Sequence, residues 1–162
     1  MKNRKKIQGV AIAAIIAASY VVLTYIASAF GLASGAIQVR LSEALTILPV
    51  FTPYAIPGLF IGCILANLLT GCALWDVLLG SLATLLGAIG TYFLKKYKIL
   101  PFLPPILSNT VIVPFVLMYV YSLQGTIWYF SLTVFIGELI SCGILGFFLR
   151  KGFEKRNLFN NL

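Results

Sequence analysis

Apolar residues in this chain come in long runs, and polar and charged residues gather at the breaks between them. The first run covers 7–30 and ends in a Gly-rich turn at 31–35. A short mixed-charge stretch follows at 38–43, after which the chain is uncharged from 44 to 75, with prolines at 49, 53 and 57. Asp76 precedes a run at 77–94. Lys95, Lys96 and Lys98, with Pro101, Pro104 and Pro105, mark a loop. The next run, at 106–123, contains Pro114; Gln124 and Gly125 break it, and the last run, 127–149, stops at Arg150 and Lys151. About 20 apolar residues in a helix match the hydrocarbon thickness of a bilayer. The pattern predicts an all-α integral membrane protein.

The stretch at 41–72 fits one long tilted helix or two short ones, and charge decides between them. Lys and Arg favour the cytoplasmic side of a membrane. With two spans, every basic residue except Arg40 faces inward; with one, the clusters at 95–98 and 150–156 would face outward. The chain is therefore expected to be a single transmembrane domain, 1–162. It is a bundle of six transmembrane helices at about 7–30, 41–54, 57–72, 76–94, 103–123 and 127–149, with both termini cytoplasmic. The break in the second pair falls between Thr52 and Pro57, and short Pro-interrupted spans are places where freed backbone groups can line a binding site. The run at 7–30 is too long for a cleaved signal and reads as a retained first helix.

Composition narrows the function classes. Of the residues, 60% are hydrophobic and 10% charged, against about 25% charged in a soluble domain, and the mean hydropathy is +1.02. The net charge of +8 does not indicate nucleic acid, because the basic residues form short clusters beside apolar runs and no continuous basic face. There is no histidine, so a transition-metal site is not expected. Cys63, Cys72 and Cys142 give no paired spacing and read as small apolar packing residues. No G-x-x-x-x-G-K-[ST] phosphate loop is present, so ATP hydrolysis by that route is absent. Without histidine there is no Ser–His, Cys–His or H-E-x-x-H arrangement, and the chain does not read as an enzyme; no cofactor is expected.

Glu138 is the sharpest candidate. It lies mid-run with no Lys or Arg in the same run, and a charge there costs about 2.5–3.5 kcal/mol on insertion scales. It reads as a ligand-facing acid, the alternative being a hydrogen-bonded structural acid. Arg40 and Glu43 share a helix face, either as an interfacial ion pair with Ser42 as N-cap or as a rim that closes on polar substrate groups. Asn67 and Asn109 need partners when buried, from a ligand or from another helix. Asp76 reads as the cap of the helix beginning at residue 77. Most aromatics near span ends belong to interfacial belts, and Phe51 or Trp128 is a candidate to stack on a flat ring. Gly9, Ala13 and Ala17 form one small-residue face of the first helix and Ala14 and Ala18 a second, with a similar stripe at Gly58, Gly62 and Ala66. Ala13, Ala14 and Ala17 are the partner-docking candidates.

These features resemble the substrate-binding (S) subunit of an energy-coupling factor (ECF) transporter. The likeness sharpens over Val39-Arg-Leu-Ser-Glu-Ala-Leu-Thr-Ile-Leu-Pro-Val-Phe-Thr-Pro-Tyr-Ala-Ile-Pro-Gly58 and Leu59-Phe-Ile-Gly-Cys-Ile-Leu-Ala-Asn-Leu-Leu69. It continues through Trp75-Asp76, Gly80-Ser-Leu-Ala-Thr-Leu-Leu86, Leu103-Pro-Pro-Ile-Leu-Ser-Asn109 and Gly137-Glu-Leu139. Over nearly the whole chain they are similar to the QueT family of presumed importers of queuosine precursors. The resemblance implies a multi-pass protein of a bacterial plasma membrane that binds a 7-deazaguanine such as preQ1, or queuine, from outside. It implies docking through the first-helix alanines on a membrane-embedded coupling (T) subunit, and two ABC-type ATPases that supply energy. For such a ligand Glu138 is assigned to the purine edge or the amine; Arg40, Glu43, Asn67 and Asn109 complete the polar shell, and Phe51 or Trp128 stacks. An S component for another small molecule such as a vitamin, a proton-coupled secondary transporter with Glu138 as relay, and a non-transporting membrane subunit are the alternatives.

Overall fold

A computed structural model describes residues 2–32 and 38–156 of the 162. The turn expected at 31–35 and the tail after Arg156 therefore lie largely outside the described residues. The described chain is helical, without strands. Helix α1 is Lys2–Ala29, and a 3-10 helix occupies Leu41–Val50. Helices α2, Ala55–Leu69, and α3, Leu74–Phe93, follow. Helix α4, Leu103–Phe115, is entered through a 3-10 turn at Leu100–Phe102 and widens into a π turn at Val116–Val120. The widening follows Pro114, whose missing N–H interrupts the α ladder. Helix α5, Ile127–Glu138, runs through a π segment at Leu139–Leu145 into α6, Gly146–Arg156.

Among the described residues, four stretches are long and apolar enough to cross a membrane: Lys6–Ala29, Leu74–Phe93, Leu100–Val120 and Ile127–Arg156. Leu41–Val50 and Ala55–Leu69 are apolar but shorter. Ten residues wound as a 3-10 helix rise about 2.0 Å each, so the first of these still extends about 20 Å. It is slender, and Ser42 to Pro49 are all buried in it. It sits in the middle of the bundle, touching α1, α2, α3, α6 and the π segment.

Contacts at the helix ends fix the arrangement. At one end the Tyr54 ring rests on Gly9, Phe51 lies 5.9 Å from Phe153 between ring centres, and Arg150 donates to the carbonyls of Tyr97 and Lys98 at 3.3 and 2.8 Å. The basic groups at 95–98 and 150–156 thus share one end. At the other end Tyr25 donates to the Leu69 carbonyl at 3.0 Å, and Tyr121 joins α4 to the start of α3. Successive segments run back and forth between these ends.

Small residues set the closest approaches. A Cβ at Gly58 would lie 2.7 Å from the Ala13 carbonyl oxygen, and one at Gly62 2.9 Å from the Ala17 Cα. The stripes at Ala13/Ala17 and Gly58/Gly62 therefore pack on each other within one chain. Glycines also meet prolines where α3 crosses α4: a Cβ at Gly87 would lie 2.6 Å from the Pro105 Cα. The opposite face of α1 turns outward, with Ile7, Val10 and Ile15 at 70%, 69% and 65% exposed, as suits a helix facing lipid.

Several expected boundaries move. The break in the second pair is the turn at 51–54, with α2 starting at Ala55. Helix α3 starts at Leu74 with Ala73 as its N-cap, so Asp76 sits inside the first turn and is not the cap. Ser42 is likewise not an N-cap; that position is Arg40, and no side chain caps it. The last helix does not stop at Arg150 but continues to Arg156, where Arg150 and Glu154 pair at 2.7 Å.

Replacing Gly62 by Leu is expected to destabilise the protein by about 1–3 kcal/mol, the usual cost of overpacking, read as a lowered Tm in detergent. Ala18→Leu, on the exposed face of the same helix α1, is expected to change stability by less than about 0.5 kcal/mol.

Candidate functional site

At the end of the bundle where α1 and α2 finish and α3 begins lies a cavity of about 340 Å³. Its polar wall is built from Thr24, Arg40, Asn67, Thr70, Asp76 and Tyr121. The hairpin between α2 and α3 brings Asn67 and Asp76 together. It reverses tightly because Gly71 takes φ +75, a left-handed conformation free of strain only for glycine. Gly80 sits between the two side chains: a Cβ there would lie 3.4 Å from both Asn67 Nδ2 and Asp76 Oδ1.

Asp76 is only 5% exposed. Its Oδ2 accepts from the Tyr121 hydroxyl at 2.9 Å, and that hydroxyl accepts from the Ala73 N–H at 3.2 Å. Its Oδ1 has no hydrogen-bond partner. Arg40, which also lines the cavity, is held by its extended backbone: its N–H donates to Ser141 Oγ at 3.1 Å. Just before it, the Gln38 carbonyl rests directly on Gly137, where any Cβ would overlap it. Gly137 and Ser141 thus strap the segment 38–40 across α5 and its π extension.

Tyr20 and Ser42 form part of the cavity lining, and behind them is a second polar cluster. Glu43 is fully buried. Its Oε1 accepts from the Tyr20 hydroxyl and from Thr84 Oγ1, the latter at 3.0 Å, and its Oε2 accepts from Asn109 Nδ2 at 3.4 Å. The Glu43 carbonyl accepts from Thr46 Oγ1 at 2.6 Å and from Cys142 Sγ at 3.4 Å. The single Cys142 proton has a nearer alternative acceptor in Glu138 Oε2, at 3.1 Å. Glu43, Glu138 and Cys142 place ligand atoms within 4.8 Å of one another and are the described residues that could hold a metal. Three donors already engage the Glu43 carboxylate, and the Cys142 thiol is turned to Glu138.

Of the residues expected to bind ligand, Arg40 and Asn67 line the cavity, while Glu43, Asn109 and Glu138 lie in the cluster behind it. Arg40 and Glu43 do not form the envisaged ion pair; Glu43 turns to Tyr20, Thr84 and Asn109. Phe51 and Trp128 do not line the cavity: Phe51 packs on Phe153 at the far end, and Trp128 is 82% exposed. Among the docking candidates, Ala17 is buried against Gly62, Ala13 is half-buried against Gly58, and Ala14 is exposed. Asp76, Tyr121 and Thr24 were missed as lining residues. The available signal was an acid next to an apolar run with no cation beside it. The cysteines are free, but Cys63 and Cys142 meet polar groups, Cys63 taking contacts from Asn67 and Thr84 at 3.6 and 3.5 Å; they are more than apolar filling.

The sequence model of a family described as QueT transporter matches residues 10–155. Among curated proteins and among solved structures, none matches the chain.

The two clusters should respond differently to substitution. Glu43→Gln turns an acceptor into an amide facing donors, and is expected to cost about 1–3 kcal/mol of stability, measured as a loss of Tm without any ligand. Arg40→Ala, at the half-buried cavity wall, is expected to leave the ligand-free Tm within about 0.5 kcal/mol equivalent.

Proposed function

Because the chain belongs to the QueT transporter family, we propose that it is the substrate-binding subunit of an ECF-type importer and that its cavity holds a queuosine precursor, a 7-deazaguanine such as preQ1 or queuine. Family membership and four long apolar helices make it a membrane transport protein. The observation that carries the finer reading is a cavity lined by both Arg40 and the half-satisfied Asp76. Its volume of about 340 Å³ is at the small end of ligand pockets, roughly 300–1,000 Å³. A deazaguanine offers a carbonyl and ring acceptors to a guanidinium fork, and N–H groups to a carboxylate. Asn67 can donate and accept, and the Tyr20 and Tyr121 rings give the flat base apolar neighbours.

The same reading makes residues 1–162 one transmembrane domain with six crossings, the 3-10 helix and α2 forming the short pair. The end bearing 95–98 and 150–156 is cytoplasmic by its positive charge, which leaves the cavity open to the outside of a bacterial plasma membrane. In this reading, as the resemblance to ECF importers implies, energy comes from two ABC-type ATPases through a coupling subunit; this sequence itself carries no phosphate loop. Of the small-residue stripes on α1, the one at Ala14 and Ala18 is free to meet that subunit, because Ala13 and Ala17 already pack on α2. Glu43, Asn109 and Glu138 then support the site from behind and do not touch the base. The buried carboxyl pair Glu43–Glu138 favours a second reading, a proton-coupled carrier. Uptake that persists without ATPase partners and stops with an uncoupler would select it.

Mass spectrometry of the small molecule that copurifies with the subunit is expected to find a 7-deazaguanine. Calorimetric titration with preQ1 or queuine is expected to show Asp76→Asn and Arg40→Ala weakened by about 10–100-fold, the loss of a charge-assisted hydrogen bond. A vitamin as the copurifying molecule, or wild-type affinity in both variants, would overturn the assignment.

A further inference from the structure

A second chamber of about 270 Å³ adjoins the cavity, and Gln38, Leu117 and Leu123 line both. The wall between them is held in place by the backbone. Ser122 adopts φ 51, a left-handed conformation that serine keeps only where its surroundings impose it. The Leu123 N–H returns to the Leu117 carbonyl at 3.2 Å. The far wall comes from the start of α5: a Cβ at Gly125 would be 2.9 Å from the Phe130 ring, so the loop lies directly over it.

The two chambers differ in charge. The first holds Arg40 and Asp76, whereas among the described residues no charged side chain lines the second. Its lining joins the apolar Phe130 and Val134 to neutral polar groups on Gln124, Tyr129 and Thr133. Thr133 Oγ1 spends its proton on the Phe130 carbonyl at 3.0 Å and keeps its acceptor capacity. A cationic group placed here would be desolvated with no carboxylate to receive it. A ring carrying hydroxyl groups meets both halves of the lining, its carbons on Phe130 and Val134 and its hydroxyls on the amide and hydroxyl groups.

We propose that this chamber receives an uncharged, hydroxyl-bearing ring attached to the base, so that the preferred cargo is the extended base and not the bare aminomethyl base. The inference rests on the cavity being the 7-deazaguanine site. Titration of the purified subunit in nanodiscs with preQ1, which ends at its aminomethyl group, and queuine, which carries a hydroxylated cyclopentene ring on that nitrogen, tests it. Wild type is expected to bind queuine at least about tenfold more tightly. Gln124→Trp, in the loop, and Thr133→Leu, on α5, each fill the chamber and are expected to bring the queuine-to-preQ1 ratio down to about one. Equal wild-type affinity for the two ligands overturns the inference and leaves the proposed function standing, as does an unchanged ratio in both filled variants. Binding of neither ligand by wild type overturns both. The wild-type ratio decides the matter even if a filled variant fails to fold.

Discussion

The carboxylate of Glu43 organises this bundle. It lies in the first turn of a helix buried along nearly its whole length, where neither lipid nor bulk water can satisfy it. Its partners come from elements far apart in sequence: Tyr20 on α1, Thr84 on α3 and Asn109 on α4. The carbonyl of the same residue takes the thiol of Cys142 from the segment joining α5 to α6. Four surrounding helices are thus positioned against one residue of the 3-10 helix. The cavity depends on that arrangement, because Tyr20, which donates to Glu43, also lines it, and Ser42, next to Glu43, accepts from Thr24 on its wall.

Polar satisfaction fixes which faces meet, and side-chain size fixes how close they come. Between apolar helices in a membrane there is little hydrophobic drive to associate, and close van der Waals contact through small residues takes its place. Helices α1 and α2 use Ala13 and Ala17 against Gly58 and Gly62 for this. That tight seam lets the 3-10 helix stay central while α1 keeps its other side free. The two alanine stripes on α1, one residue out of phase, therefore have different fates: one is consumed by the fold and the other stays on the surface.

Much of the helical layout was legible in the sequence because apolar run length and proline position are set by bilayer thickness and backbone chemistry, and both are local. The run at 77–94 and the helix Leu74–Phe93 differ by a few residues at the start, and that difference mattered. Placing the helix start too late made Asp76 look like a cap, when it is a buried cavity residue bonded to Tyr121. Glu138 was conspicuous as an acid within an apolar run, but a run has two sides, and only packing reveals that this one faces Cys142 and the Glu43 cluster. Phe51 and Trp128 failed as stacking residues for a related reason. An aromatic near a span end is equally visible at either end of the bundle, and Phe51 lies at the end away from the cavity. Tyr121 carried no signal because its role arises from a contact across 45 positions of sequence.

The buried acids can be told apart by how far the protein alone satisfies them. Glu43 accepts three hydrogen bonds from side chains of its own bundle, and a group so engaged has little left to offer a ligand. Asp76 is nearly as buried, yet one oxygen has a single partner and the other has none. An unpartnered buried acceptor costs free energy that a fold does not retain without compensation. Asn109 Oδ1 is also unpartnered, but it lies in the cluster behind the cavity, whereas Asp76 lines the cavity together with Arg40. A donor brought by a small molecule could complete Asp76, while Arg40 supplies the opposite charge in the same cavity. Of the acids in this chain, Asp76 is therefore the one whose unmet valence points to a ligand, although Glu138 stands out more in the sequence.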